Sequence, residues 1–327
     1  SKSIWVNRDP DNLANPHPVY NTATAEDLVK KVLLSDPAAQ SRITNVTFTG
    51  EPLTSANRSL AYFENGSGIG IQSGLILGTY GVMHAEAPNS GSGKLPGGTS
   101  LTGDPHLTSI ATATVQGGSI LQFDFQPYTS KVTFDFIFAS EEYPDFSNAN
   151  VNDAFGFFVF EQGDPTNFVN IALFPNGLPV TINNSNWGHS GSNTPAGLPA
   201  PLGDAVNPQW HVPNYWDNYA GSDSIMEYDG RTIKLQAIAE NLDPSKTYTL
   251  KLAICNISDN AYGSAVFLSN LDLGKADGDI GGPVPGISVA GVDALGLNEE
   301  GEPMFLYGNR PCTYPMKLPF DIVAAST

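Results

Sequence analysis

The chain has little of what most enzymes and nucleic-acid binders need. It carries only two cysteines in 327 residues, Cys255 and Cys312. That excludes a disulfide framework and a four-cysteine zinc site. Lys and Arg number 15 against 33 Asp and Glu, a net charge of −18. Phosphate recognition needs clustered cations, so nucleic acid and anionic membrane surfaces are excluded as partners. No apolar run approaches the roughly 18 residues of a membrane-spanning helix. The five histidines, His17, His84, His106, His189 and His211, show no i,i+4 pairing and no zinc motif. There is no G-x-S-x-G nucleophile elbow. SGSGKL (90–95) imitates a phosphate loop, but Pro88 stands at the first glycine position and Leu95 follows Lys94. Charged residues are only 15%, so Asn, Ser, Thr and Gly must supply the polar surface, as in secreted β proteins.

What is present is β-like. Gly (33) and Pro (25) are frequent, and short runs of strand-forming residues alternate with turn signals. Residues 1–20 read as an extended arm with one apolar triplet, Ile4-Trp5-Val6. A single helix is predicted after Thr24 as N-cap, with Glu26 and Asp27 in its first turn and Leu28, Val29, Val32 and Leu33 on one face. Strands are predicted at 43–48, 60–63, 68–79, 120–125, 131–138, 155–160, 169–174, 232–239, 247–255 and 264–271. The pair 120–125 and 131–138 reads as a hairpin, and 155–160 with 169–174 as another pair. Residues 175–224 form a long irregular insertion rich in aromatics. After Leu273 a Gly/Pro/Asp linker leads to a tail with strands at 304–307 and 316–323. The fold class is mainly β, an antiparallel sandwich of jelly-roll type with one short helix. Three regions follow: an arm over 1–20, a sandwich over 21–273, and a linker with C-terminal extension over 274–327.

The most informative block is TFDFIFASEEYPDFSNANVNDAFGFFVF (133–160). Val132, Phe134, Phe136 and Phe138 alternate. Residues 154–160 are almost wholly apolar, the pattern of a strand buried on both faces. Between them lie Glu141, Glu142, Asp145, Asn152 and Asp153. These carboxylates repel one another unless solvated, hydrogen-bonded or bound to a cation. Two readings stay open: a Ca²⁺ site built from these five residues, or a turn in which Asp and Asn cap backbone groups. In a regular strand Glu141 and Glu142 would face opposite ways and could not share one ion. Asp277-Gly-Asp279 resembles the start of a calcium loop but lacks its distal acids. Asp104 with His106 is a weak metal pair. Glu141 with Asp153 would suit glycoside hydrolysis only at a spacing the sequence does not give.

Trp187, Trp210, Tyr215, Trp216 and Tyr219 in the insertion form a candidate ligand surface for a glycan or a protein. The alternative is that they pack the insertion onto the sandwich. Cys255 and Cys312 would, in a secreted chain, close a loop of about 57 residues worth ~4 kcal/mol. The alternative is two buried free thiols. The chain begins at Ser1, as it would after removal of a signal peptide or in a trimmed piece.

Several segments together resemble the choice-of-anchor L domain family. They are TAEDLVKKVLL (24–34), NVTFTG (45–50), GIGIQSGLILGT (68–79), FIFASEEYPDFSNANVNDAFGFFVF (136–160), NIALFP (170–175) and LKLAICNISDNAYGSAVFL (250–268). The resemblance implies a secreted bacterial cell-surface module with a β-sandwich fold, and it supplies no reaction. The expected function is therefore a non-catalytic surface-structural or adhesive role. The arm and the LPFDIVAA tail suggest self-association by strand addition, or contact with another surface protein. The alternative is a calcium-dependent lectin-like adhesin.

Overall fold

The computed structural model describes residues 3–89, 98, 101–189, 200–214 and 225–274, together with the backbone of 305–307 and 310–312. The chain divides into two units, Ser1–Gly274 and Lys275–Thr327. In the second, β17 (Phe305–Tyr307) pairs with β18 (Arg310–Cys312). The strand predicted at 316–323 and the Asp277–Asp279 motif lie outside the described residues.

The first unit is mainly β, two antiparallel sheets curled into a sandwich-like half-barrel. One sheet is built from β1 (Trp5–Val6), β5 (Leu60–Glu64), β6 (Gly74–Gly78), β16 (Ser264–Asp272), β8 (Val132–Ser140), β13 (Gly230–Thr232) and β12 (His211–Pro213), in that order. β14 (Leu235–Ala239) pairs with β8 on the same side as β13. The other sheet runs β10 (Val169–Asn170), β9 (Ala154–Glu161), β15 (Tyr248–Ile257), β7 (Val115–Phe125) and β4 (Ile43–Thr49), with β11 (Val180–Thr181) on the end of β9. A small ribbon, β2 (Arg8–Asp9) with β3 (Asn12–Pro16), completes the arm.

The alternation of β8 sorts its side chains into two cores. Phe134, Phe136 and Phe138 join Phe155 and Phe157 of β9 between the sheets. Ile137 and Ala139 face the other way and pack with Phe63 and Phe267. β9 is likewise buried on both faces, with Ala154 and Phe158 in a third cluster beside Leu107, Ala253 and Cys255. Each fully buried Phe is worth roughly 1.5–3 kcal/mol of burial, so this is where the fold is held.

Two expectations change here. β7 and β8 are not a hairpin. The 126–131 connection crosses from one sheet to the other, and β7 pairs instead with β15 and β4. The arm is used in its own sheet. Ile4 and Val6 are buried, β1 pairs with β5, and the Ile4 N–H donates to Ile225 O (3.0 Å), so its apolar residues cover the outer face of their own sheet. The Cys312 side chain lies outside the described residues, and the expected Cys255–Cys312 pairing lies outside them with it. Cys255 is wholly buried on β15 in the cluster with Leu107 and Phe158, and burial pushes its thiol well up.

The helix begins as predicted. Thr24 and Asp27 form a reciprocal capping box, and α1 (Ala25–Leu28) continues as a π-helical turn over 29–33. Leu28, Val29 and Leu33 enter the inter-sheet core. The Lys31 hydrogen bond first, then those from Thr24, hold the Asp27 carboxyl down to about 2.

Candidate functional site: two buried polar clusters

Beyond Ser140 the chain leaves β8 and turns through 141–149 to reach β9 at Ala154. Glu141, Glu142 and Asp153 are all buried at 0–1% exposure, and Asn152 is buried too. Asp153 is the centre. Its Oδ1 accepts the Ile257 N–H (3.1 Å) from β15, and its Oδ2 accepts the Ser264 hydroxyl (2.6 Å) from β16. One carboxylate thereby joins both sheets. The two serine hydroxyls, Ser264 and Ser140, lie 2.8 Å apart, and the Ser140 hydroxyl accepts the Glu142 N–H at 3.0 Å. The Asp153 N–H points at Glu142 Oε2 at 3.4 Å. The Ile257 donor sits where the β15–β7 register shifts between Cys255 and Ile257. Gly118 on β7 allows the close approach there, because a Cβ would lie 2.1 Å from Ile254 O.

Two buried carboxylates this close cannot both stay ionised. Burial first, opposed by the Ser264 and Ile257 hydrogen bonds, raises Asp153 to about 8. Burial first and the Asp153 charge second push Glu142 well above the usual carboxylate range. At neutral pH the pair holds a proton.

The five residues predicted to share a metal do not converge. Glu142 and Asp153 form one group. Glu141 belongs with two phenols: burial first and the Glu141 charge second raise Tyr228, while burial first and then Asp145, ahead of Glu141, raise Tyr262. Asn152 is spent on neighbours. Its Oδ1 accepts the Asn183 N–H (2.9 Å), and its Nδ2 donates to Thr112 (3.3 Å). Among the described residues no three His, Cys, Asp or Glu side chains form a metal-holding group.

An asparagine ladder then ties this turn to the insertion. Asn183 Oδ1 accepts the Asn148 N–H (2.7 Å), and Asn183 Nδ2 donates to Ala149 O (2.8 Å). Asn186 Nδ2 donates to Asn148 Oδ1 (3.0 Å). Tyr143, wholly buried, donates to Ser185 O (3.0 Å). Sequence reading missed this ladder. The Asn-Asn-Ser-Asn run at 183–186 was its only trace.

Two of the five aromatic ligand candidates, Trp187 and Trp210, are partly buried and have packing partners. Trp210 stacks on Phe174 with centroids 5.2 Å apart and planes 9° apart, so one ring face packs the insertion. Trp187 Nε1 donates to Pro208 O (3.3 Å), and its ring meets His211 edge-on. Trp210 thus packs the insertion against the inter-sheet core, and Trp187 packs within the insertion. Tyr215, Trp216 and Tyr219 lie outside the described residues.

The second polar cluster lies on the outer face of the β9–β15–β7 sheet. Lys251 of β15 reaches Asp104, and the side chains are only 8% and 10% exposed. Asp104 caps α2 (Pro105–Thr108), its Oδ1 accepting the N–H groups of His106 (3.0 Å) and Leu107 (3.1 Å). His106 Nδ1 lies 3.2 Å from Lys251 Nζ, and its Nε2 lies 2.7 Å from Pro165 O. The ring packs among Phe158, Phe160 and Phe168 at 4.5–5.2 Å. An ammonium and a carbonyl occupy its two nitrogens, so the Asp104–His106 metal pair is replaced by an ion pair with a histidine beside it. Sequence spacing could not reveal Lys251, which is 147 positions away.

Residues 15–273 match the family model of the choice-of-anchor L domain, and the chain belongs to that family. This makes it a cell-surface module. No curated protein and no solved structure matches the chain.

Proposed function

We propose that this chain is a non-catalytic, surface-structural or adhesive module, secreted and held at the cell surface, that associates with copies of itself or with another surface protein. The observation carrying this reading is the burial of the acidic block. Glu141, Glu142 and Asp153 are turned inward at 0–1% exposure, and Asp153 and Glu142 are bonded to sheet and turn. A general acid or nucleophile must meet its substrate, whereas these groups meet protein.

With the arm used in its own sheet, strand addition falls to the extension over 274–327. The fitting acceptor is the outer edge of β14. Beside it lies a groove of about 530 Å³ lined by Val159, Val169, Ile171, Ile238, Leu242 and Tyr248. Ile238 and Val169 are exposed apolar residues, and a strand paired with β14 would cover them. Size-exclusion chromatography with electron microscopy of the full chain tests this. Concentration-dependent assembly that Ile238→Glu weakens is expected. A strictly monomeric wild-type chain at high concentration contradicts it.

A calcium-dependent lectin-like role is the second reading. It is favoured by the buried Glu142 Oε1, which has no hydrogen-bond partner. A cation at Glu142 and Asp153 would complete it. Glycan-array binding abolished by EDTA supports this reading, and binding to no glycan contradicts it.

A further inference from the structure

We propose that Lys251 and Asp104 condense into an intramolecular amide, an isopeptide bond that welds the α2 segment to the central strand β15. The arrangement holds every part such a reaction needs. The nucleophile is Lys251 Nζ, in direct contact with Asp104 Oδ2. The electrophile is Asp104 Cγ. Its other oxygen, Oδ1, already accepts two backbone N–H groups, from His106 and Leu107 at 3.0 and 3.1 Å. Two fixed donors on one oxygen are what stabilise a tetrahedral oxyanion. The proton carrier is His106, with Nδ1 3.2 Å from Nζ and Nε2 fixed against Pro165 O at 2.7 Å. Donation to a carbonyl sets the Nε2–H tautomer, so Nδ1 presents a lone pair to the amine.

The step balances without a co-reactant. An ammonium hydrogen of Lys251 passes to Asp104 Oδ2 across their contact, giving a neutral amine and a carboxylic acid. The Nζ lone pair adds to Cγ, and negative charge develops on Oδ1. His106 Nδ1 takes a second proton from nitrogen and returns it to the Oδ2 hydroxyl. The Cγ–Oδ2 bond breaks and water leaves. Ammonium and carboxylate become an amide and one water.

The surroundings favour this direction. In water, hydration holds amine and acid apart as ions. Here Asp104, His106 and Lys251 are all buried, and Phe158, Phe160 and Phe168 pack around the imidazole. Burial penalises the two charges, while the neutral amide keeps the hydrogen bonds to Oδ1. Fixing the reactants in contact replaces the bimolecular encounter by an intramolecular one, worth many orders of magnitude in rate. The location suits a surface module: the bond would tie residues 147 positions apart, so force applied to the chain could not peel the 101–111 segment from its sheet.

Intact mass spectrometry of the full, denatured chain tests the proposal without any variant. The expected mass is that of the sequence less one water. Proteolysis should then give a branched peptide joining the segments around 104 and 251. Lys251→Arg, which keeps the charge, should restore the full sequence mass. Asp104→Asn should give the same bond with loss of ammonia. His106→Phe keeps an aromatic ring in the cage but removes the proton carrier, so closure in freshly made protein should slow at least tenfold. Folded wild-type chain that retains its full mass after prolonged incubation overturns the proposal. So does a water loss that maps elsewhere, for example to a succinimide at Asp229-Gly230.

Discussion

Asp153 with Glu142 and Asp104 with Lys251 are both buried pairs of ionisable side chains, and they solve burial in opposite ways. The first pair has like charges. It becomes neutral by keeping a proton, and its hydrogen bonds to Ser264 and Ile257 then join β16 to β15. The second pair has opposite charges. It is neutral as it stands and leaves a nucleophile facing an acid. One cluster lies at the end of the inter-sheet core, the other on an outer face under α2. The difference shows that, once a carboxylate is buried, the charge of its partner decides what it does here. An Asp beside a Glu becomes a protonated latch, and an Asp beside a Lys becomes an ion pair and, on our proposal, a cross-link.

The comparison can be broken most sharply at Lys251. Lys251→Ala leaves Asp104 buried without its partner and should lower unfolding stability by about 3–5 kcal/mol, read by chemical denaturation. Less severe is Ser264→Ala. It removes the hydroxyl that donates to Asp153 Oδ2, at a cost of about 1–3 kcal/mol, and should loosen the contact between β16 and the 141–153 turn in hydrogen exchange. The smallest effect is expected on the surface. Glu26→Ala breaks the exposed Glu26–Lys30 pair (2.5 Å) and should change stability by no more than about 0.5 kcal/mol. If Glu26→Ala rivalled Lys251→Ala, burial would not be what distinguishes these pairs.

Much of the fold was legible because period and composition act locally. The Phe134–Phe136–Phe138 alternation, the all-apolar 154–160 run and the Thr24 cap each report a physical constraint within a few residues. What failed was long-range. Nothing in the 120–138 pattern says whether two adjacent strands pair or split between sheets, and here they split. Ile4-Trp5-Val6 looked too short to fold alone, yet β5 offered it a free edge. Nor could the sequence say that Cys255 shares the outward face of β15 with Lys251 and is buried there with Leu107. For the acidic turn, the sequence raised the right conflict, crowded carboxylates that need relief. It could not say that Glu141 and Glu142 part company or that Ser264, 111 positions from Asp153, provides the bond.

The central claim is that the acidic turn is a protonated internal latch. Asp153, raised from 3.8 to about 8, contributes stability that is fully present below pH 3.8 and is lost as pH rises through about 8. His211 works the other way. Burial first and Arg231 second lower it to about 3, so its contribution is present above 6.5 and lost as pH falls toward 3. Comparing wild type with Asp153→Asn cancels the histidine and isolates the latch. The decisive measurement is the thermal midpoint of both proteins from pH 4 to 9, with calcium and with EDTA. The account predicts that wild type falls several degrees relative to Asp153→Asn between pH 4 and 8, equally in calcium and in EDTA. A constant difference across that range, or a wild-type midpoint at pH 8 that calcium raises and EDTA lowers, would contradict it.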